Sequence, residues 1–589
     1  MGLIAGACSS DDKSGGDSIA PATSAASEET SAPTDASAPD VTTAPTETSA
    51  PSDNTTAPTE SSAPDETTAP TEPAAEPVYG GKLVMGVEAD TSSPWRPAEM
   101  VCAISCHQIA RSVYDTLMLT GEDDLPHPYL ASALEPNADF TVWRITAREG
   151  ITFHDGTPFD GAAIVDNLTR HKVGILTGVA LKSVTDVSLD PADPMTAVVT
   201  VEKPWATFGF YLTGQIGYMA SPTWLAASDA DATLRSRPVG TGPFIFEDYK
   251  SAEYFRANKN PDYWNKPYPY LDSIEFIPIA DSLKRRDALK SGDVDLIHTT
   301  NGQVISELRE DQENCPSIEI TNKAETSYTL LHVTKEGSAI ADQRIRCALA
   351  YAFDAKTVND SINQGVNELA NGPFSPGQVG YLEDSGYPLA QDMAKAQELV
   401  AAYKAENPGE LKLALATTND ATNLVIANFQ KQWWEEAGID EVTIDQIDQG
   451  NYIVTALLGQ FEVFQWRNHA GVDLDQQYFW WHTSSALEVG TLALNFGRIK
   501  DADLDALLDA NRASDDPAEK QQIAEDVNRL FATQCYNLWG WWTVWMVAGA
   551  PGINGIEGTS LALPDDQGNS QAGAGIAGTF FPATLWFDA

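Results

Sequence analysis

The 589-residue chain is short of positive charge: 36 Lys and Arg stand against 84 Asp and Glu, a formal charge of −48. Nucleic acid is held by basic side chains that neutralise phosphates, and an anionic membrane surface attracts the same residues, so both partners are excluded. No run of 18 apolar residues is present, which leaves no candidate for a membrane-spanning helix. The sequence lacks HExxH, GxSxG, a P-loop and a glycine-rich dinucleotide fingerprint after a strand, and so gives no sign of an enzyme. Its eight histidines are scattered, with no pair at ligand spacing on one helix face, so neither a metal centre built from protein ligands nor a cofactor is expected. His154 and Asp155 sit side by side in FHDGT, but Asp-Gly chemistry reads there as a turn. A chain of this length exceeds the roughly 250 to 300 residues at which a single core stops growing, so two or more lobes are expected.

Aromatic residues are absent from positions 9–77, which are almost entirely Ser, Thr, Ala, Pro, Asp and Glu in near-hexads such as TTAPTE. Residues 1–77 hold 14 acids and one base, a charge of −13, leaving −35 for the remaining 512 residues. Such a segment cannot bury enough apolar surface to offset its chain entropy, and its prolines and like charges keep it extended. It reads as a disordered tether. Ahead of it, Met1 to Cys8 is MGLIAGAC, which resembles the end of a bacterial lipoprotein signal, although no basic stretch precedes it and its apolar part is short. The resemblance implies a lipidated Cys8 and an extracytoplasmic protein anchored to the outer face of the cytoplasmic membrane.

From Val78 the composition is that of a globular protein. Lys82 to Val87 (KLVMGV) is an apolar run after Gly80-Gly81 that suits a strand buried on both faces, and His107 to Leu119 repeats apolar residues at helical spacing. Strands alternate with helical stretches such as Leu424 to Ala437, the pattern of α/β lobes with mixed sheets.

Trp143 to Pro158 (WRITAREGITFHDGTP) resembles the W-x-F-x-L-R-x-G-V-x-F-x-D-G-T-P signature of the family 5 extracellular solute-binding proteins, the dipeptide, oligopeptide and nickel receptors of ABC importers. VGTGPF from Val239, NPDYW from Asn260, ALKSGDVDLI from Ala288, DQRIRCALAYAFD from Asp342 and NGPFSP from Asn371 are similar to later motifs of that family in the same order. The resemblance covers about residues 78 to 550. It implies a two-lobe periplasmic-binding-protein-like fold, type II and of the large peptide-binding class, with an inserted extra subdomain. Residues 78–118, 226–300 and 546–589 would form lobe I, 119–225 the inserted subdomain, and 301–545 lobe III. It also implies a monomer that hands a small-molecule ligand, most simply peptide-like, to permease subunits without transforming it. An oligosaccharide receptor and a sensory or accessory lipoprotein without an importer are the alternatives, and a surface hydrolase or adhesin is a third.

Nine of the 15 tryptophans fall between Trp433 and Trp545. Trp466 ends an alternating run and opens the polar stretch RNHAGVDLD. In the family the corresponding W-x-x-D-x-x-D-P-D loop lines the cleft and supplies an acid that grips an α-amino group. Here Arg467, Asn468 and His469 fill the middle and Asp473 and Asp475 keep the distal acids, an exchange that favours a carboxylate or phosphate over an ammonium. Trp95, His107, Phe374, Trp541 and Trp542 complete the expected lining, a set of aromatics suited to flat, CH-rich or cationic ligands. With Cys8 lipidated, five cysteines remain. Cys102 and Cys106 flank AIS, where a disulfide is feasible if the loop is not helical. Cys315 with Cys347 is a weaker pairing, and Cys535 would then be a lone buried thiol.

Overall fold

Gly80 and Gly81 take φ of 117° and 90°, a turn that only glycine enters without strain, and deliver the chain into the strand Lys82–Val87. That strand is central and parallel on both sides, between Ser273–Pro278 and Leu296–Thr299, which is why its residues are apolar without alternation. The computed structural model describes residues 76–90, 95–419, 421–469, 471–556, 561–570 and 579–588. Cys8 and the tether as far as residue 75 lie outside them.

Among the described residues the largest sheet has eleven strands. One flank runs Phe244–Lys250, Tyr254–Lys259, Ser273–Pro278, Lys82–Val87 and Leu296–Thr299; the other runs Glu441–Ile447, Lys412–Thr418 and Val463–His469. Two long antiparallel strands, Ser317–Leu331 and Asn537–Gly549, pass from one flank to the other. Their pairing slips midway: Ile320 faces Trp545 while Glu325 faces Thr543. An irregularity of this kind bends a sheet and increases its twist, so the two flanks are not one flat surface. Asn537–Gly549 is buried along its whole length.

Three main cores form around this frame. The first packs Leu83, Met85 and Val87 against Ile109 and Val113 of the helix Ile104–Val113 and against Phe580 and Leu585 near the C-terminus. A separate four-stranded sheet, ordered Ala131–Pro136, Val142–Ala147, Thr196–Val201 and Val184–Leu189, packs with the helix Gly161–His171 around Trp143, Ile145 and Phe159. The third core gathers Leu349, Val400, Trp434, Leu508 and Phe531 from five helices beside the second flank. Part of the acid surplus is spent locally: Asp160, Asp281, Asp342, Asp354, Asp392, Asp448, Asp501 and Asp516 each cap a helix by accepting a backbone N–H. Each such cap is worth about 1 kcal/mol, and its charge suits the positive end of the helix.

The FHDGT segment is a structural corner. Asp155 accepts from Thr157 N at 3.0 Å and from the Ser221 hydroxyl at 2.6 Å, and His154 Nε2 meets the Gly242 carbonyl at 2.9 Å. The structure corrects the cysteine assignment: Cys347 is joined to Cys535, 188 residues away, and Cys315 is the buried free thiol. The tertiary fold, and not the sequence neighbourhood, brings the helix Gln343–Ala352 against the end of the helix Pro517–Gln534. Cys102 and Cys106 are also joined; Cys102 precedes the helix, with Ala103 extended at its start, so the pair does not have to span a regular helical turn.

Candidate functional site

Both flanks of the large sheet turn the carboxyl ends of parallel strands toward the same space, the place where open α/β sheets bind ligands. Glu88 follows Lys82–Val87, Thr418 ends Lys412–Thr418, and Arg467 and Asn468 close Val463–His469. Between them is a cavity of about 650 Å³. The crossing strands contribute Glu325, Ser327, Tyr328, Gly540 and Trp541, and segment 176–216 contributes Leu176, Phe210, Tyr211 and Gln215.

One end of the cavity is ionic. Arg467 Nε lies 3.0 Å from a Glu325 carboxylate oxygen in an ion pair, its Nη1 donates to the Thr300 hydroxyl at 3.2 Å, and its Nη2 lies 3.9 Å from Glu88. Its guanidinium is 5.1 Å from the centre of the Trp545 ring, whose indole N–H donates to Glu325 at 2.9 Å. Burial pushes the Glu325 carboxyl up, and Arg467 and Trp545 pull against that shift. His107 stands on the same lining; burial, helped by the charge of Arg111, pushes its imidazole down to about 3, so it is neutral at physiological pH.

The other end is apolar. Tyr452, Trp466, Trp480 and Leu494 line it from one side and Leu176 and Ala180 from the other. Trp466 stacks near Tyr452 and stands edge-on to Phe496 at 5.1 Å, and Trp480 meets the same ring at 5.0 Å. Successive residues of a strand point to opposite faces, which is how Trp466 reaches this cluster while Arg467 reaches Glu325. Between the ends, Thr417 donates to Gln465, Gln465 to Gln430 and Gln430 to Thr329, at 2.6, 3.0 and 2.7 Å, a chain that fixes the orientation of two lining amides.

Of the residues singled out from sequence, His107, Trp466, Arg467, Asn468 and Trp541 line the cavity. Four do not, which corrects the expected lining. Trp95 is 1% exposed, packed on Phe255 at 5.0 Å and Tyr249 at 5.8 Å. Phe374 packs edge-on to Trp481, and Trp542 edge-on to Tyr381, both within the third core. Asp473 caps the short helix Leu474–Gln477 in a capping box with Gln476 and is paired with Lys520. The backbone of His469 ends its strand; its side chain lies outside the described residues. Asp475 is wholly buried and accepts from Trp205, Thr207 and Arg512. Glu88, Glu325, Tyr452 and Trp480 escaped notice. Glu88 carried a signal, since it directly follows an apolar strand at a carboxyl end; Glu325, inside an alternating run, carried none. Among the described residues no group of three or more His, Cys, Asp or Glu is placed to hold a metal ion.

Residues 126–488 match the model of the middle region of the bacterial extracellular solute-binding proteins, family 5. The chain belongs to this family. Its members bind solutes rather than transform them. A glutathione-binding protein GsiB from Salmonella paratyphi A is 26% identical over 353 residues, 58% of this chain and 65% of that one, so the match spans less than two thirds of that relative's length. Among solved structures, DppA from Helicobacter pylori in complex with the peptide STSA superposes with a TM-score of 0.73 at 21% identity, over 87% of this chain and 99% of that one. NikA from Staphylococcus aureus in complex with Ni(L-His)2 gives 0.66 at 18%, over 83% and 100%. The fold is therefore the mixed α/β fold of the periplasmic binding proteins, as the sequence motifs implied.

Proposed function

We propose that this chain is the substrate-binding receptor of an ABC importer and captures a small, peptide-like organic solute between two lobes that close on it. The first flank with residues 78–118, 226–300 and 546–589 would be lobe I, 119–225 its inserted subdomain, and 301–545 lobe III. The observation that carries the reading is the cavity, which draws its lining from both flanks of the sheet and from the strands that cross between them. Hinge bending at the register slip would open and close it. Lipidation at Cys8 would hold the body at the outer face of the cytoplasmic membrane with residues 9–77 as a spacer, within reach of permease subunits and as a monomer. The family name agrees with an extracellular site of action.

Oligosaccharide is the second reading, favoured by the amides of Gln430 and Gln465 beside tryptophans, the combination that meets sugar hydroxyls and CH faces. Native mass spectrometry of the gently purified protein, followed by denaturation and identification of the released molecule, tests both. A peptide supports the first, a sugar the second. An empty protein that shows no melting shift with peptides, oligosaccharides or metal chelates overturns the receptor reading in favour of a sensory or accessory role.

A further inference from the structure

One stretch of the cavity wall is a disulfide. Cys102, Ala103, Ile104 and His107 line the cavity, and Cys102 is joined to Cys106. The two sulfurs differ in access. Cys102 is half-buried and belongs to the lining, whereas Cys106 is 3% exposed, stands behind it, and packs in the first core with Ile109 and Val113. A solute in the cavity therefore meets the bond from the Cys102 side.

The local structure suits Cys106 to leave and to return. It is the third residue of the helix Ile104–Val113, which opens at Ala103 with no side-chain cap and carries no acid in its first turn. The helices that begin at Asp160, Asp281 or Asp342 have their positive end met by a carboxylate, and this one does not. A helix terminus of that kind favours the thiolate form of a cysteine, and a sulfur whose thiolate is favoured leaves a disulfide faster. Burial shields the departed Cys106 from other thiols, so Cys102 remains the sulfur it can rejoin. The second disulfide, Cys347–Cys535, lies off the lining.

On the receptor reading above, which makes the cavity the place where solute sits, we propose that the Cys102–Cys106 disulfide captures thiol-bearing solutes by reversible exchange. The solute thiolate attacks the Cys102 sulfur, a bond forms between those two sulfurs, the Cys102–Cys106 bond breaks, and the electron pair leaves on Cys106. The proton given up by the solute thiol ends on Cys106, so the step needs no oxidant or reductant. Release is the reverse: the Cys106 thiolate attacks Cys102 and expels the solute unchanged. The solute is held and not transformed, in keeping with a family that binds its solutes.

The test incubates the full chain with an excess of Ala-Cys-Ala or of mercaptoethanol at about pH 8, where a cysteine thiol of pKa about 8.5 is partly ionised. Free thiols are then blocked with N-ethylmaleimide under denaturing conditions, and non-reducing peptide mapping locates each modification. We expect the tripeptide on Cys102 and maleimide on Cys106. Per thiolate, the tripeptide should exchange about tenfold faster than mercaptoethanol, because cavity contacts raise its local concentration, with no such preference at Cys347–Cys535. Removing the free tripeptide should restore the Cys102–Cys106 bond. Tripeptide on Cys106, no adduct on either cysteine, or equal rates for the two thiols at Cys102 overturns the proposal, as does finding both cysteines as free thiols before any addition. With the disulfide-linked dimer of Ala-Cys-Ala as donor, Cys106→Ser should trap the tripeptide on Cys102 at least about tenfold faster than Cys102→Ser traps it on Cys106, and equal rates overturn the proposal too. A chain that retains a molecule from yeast extract but forms none of these adducts keeps the receptor reading and loses this one; a chain that retains no molecule loses both.

Discussion

Arg512 and Asp475 form a buried ion pair, Nε to Oδ1 at 2.7 Å, on which a distant part of the chain converges. Trp205 and Thr207 donate to the second carboxylate oxygen at 2.7 and 2.6 Å, and the Tyr211 hydroxyl donates to the Asp475 carbonyl. The Arg512 guanidinium also lies 3.4 Å from the centre of the Tyr478 ring and 4.3 Å from that of Trp205. Segment 205–211 is thereby fastened to segment 475–512 by largely buried groups.

Removing one member should strand the other. Arg512→Ala leaves Asp475, with no exposed surface, uncompensated, and should destabilise the protein by about 3 kcal/mol in chemical denaturation. The double variant with Asp475→Asn should be less damaged than the Arg512 single variant, because it removes the orphaned charge. If both variants melt like wild type, the network does not hold the segments together.

Acid should weaken the fold before it reaches ordinary carboxylates. Burial lowers the imidazoles of His154, His171 and His332 to about 4 and that of His107 to about 3, so all four are neutral in the fold. The unfolded chain takes up their protons below about 6.5, so stability present above that pH is lost as pH falls toward 4, by roughly 1 to 2 kcal/mol for each imidazole at pH 5. Asp115, which burial raises to about 6, and Asp295 and Glu325, which burial also raises, act oppositely, since protonation there favours the fold, but they are three groups against these four imidazoles. Calorimetry should show the melting temperature steady from pH 8 to 7 and falling by pH 5. A melting temperature that holds or rises at pH 5 would show that the imidazoles are not neutral in the native state.

The mixed α/β fold was legible because it rests on local signals: an apolar run after Gly80-Gly81, strand and helix periods in alternation, and motifs in a fixed order. Trp466 and Arg467 were legible because a strand that ends in an aromatic and then a polar loop marks a sheet edge facing open space. Trp95, Phe374 and Trp542 look alike in sequence, and only packing separates an indole that fills a core from one that borders a cavity. Asp473 looked like a ligand group and is a helix cap, a role the same acid-rich pattern supports equally well. The commitment of Arg467 to Glu325 was out of reach, because the two residues stand 142 positions apart and meet only through the pairing of Ser327 with Arg467 across adjacent strands.

Cysteine pairing depends on the same long-range geometry. Cys347 and Cys535 have Cα atoms 5.2 Å apart across a loop of 188 residues, whose closure restricts the unfolded chain. Such a crosslink contributes about 2 to 5 kcal/mol. Proteolysis without reduction should yield one fragment containing both residues, and Cys347→Ser with Cys535→Ser should lower the denaturation midpoint. Recovery of Cys315 crosslinked to Cys347 would contradict the fold of this region.

Trp480→Ala and Asp473→Ala should separate binding from folding. Trp480 is partly exposed on the cavity and meets Phe496 along one edge, so its truncation removes ligand surface and little of the third core. It should weaken solute binding about tenfold or more while shifting the melting temperature of the empty protein by a few degrees at most. Asp473 touches no cavity surface; it holds a backbone N–H, the Asn511 amide at 3.2 Å and the Lys520 ammonium. Its truncation should cost about 2 to 3 kcal/mol of stability by removing a cap and leaving Lys520, with a side chain 13% exposed, without its partner. Calorimetry of each empty variant, paired with titration of whichever solute native mass spectrometry identifies, gives the two readouts. The opposite pattern, with Asp473→Ala stable but unable to bind and Trp480→Ala binding normally, would move the site out of this cavity toward the capped helix.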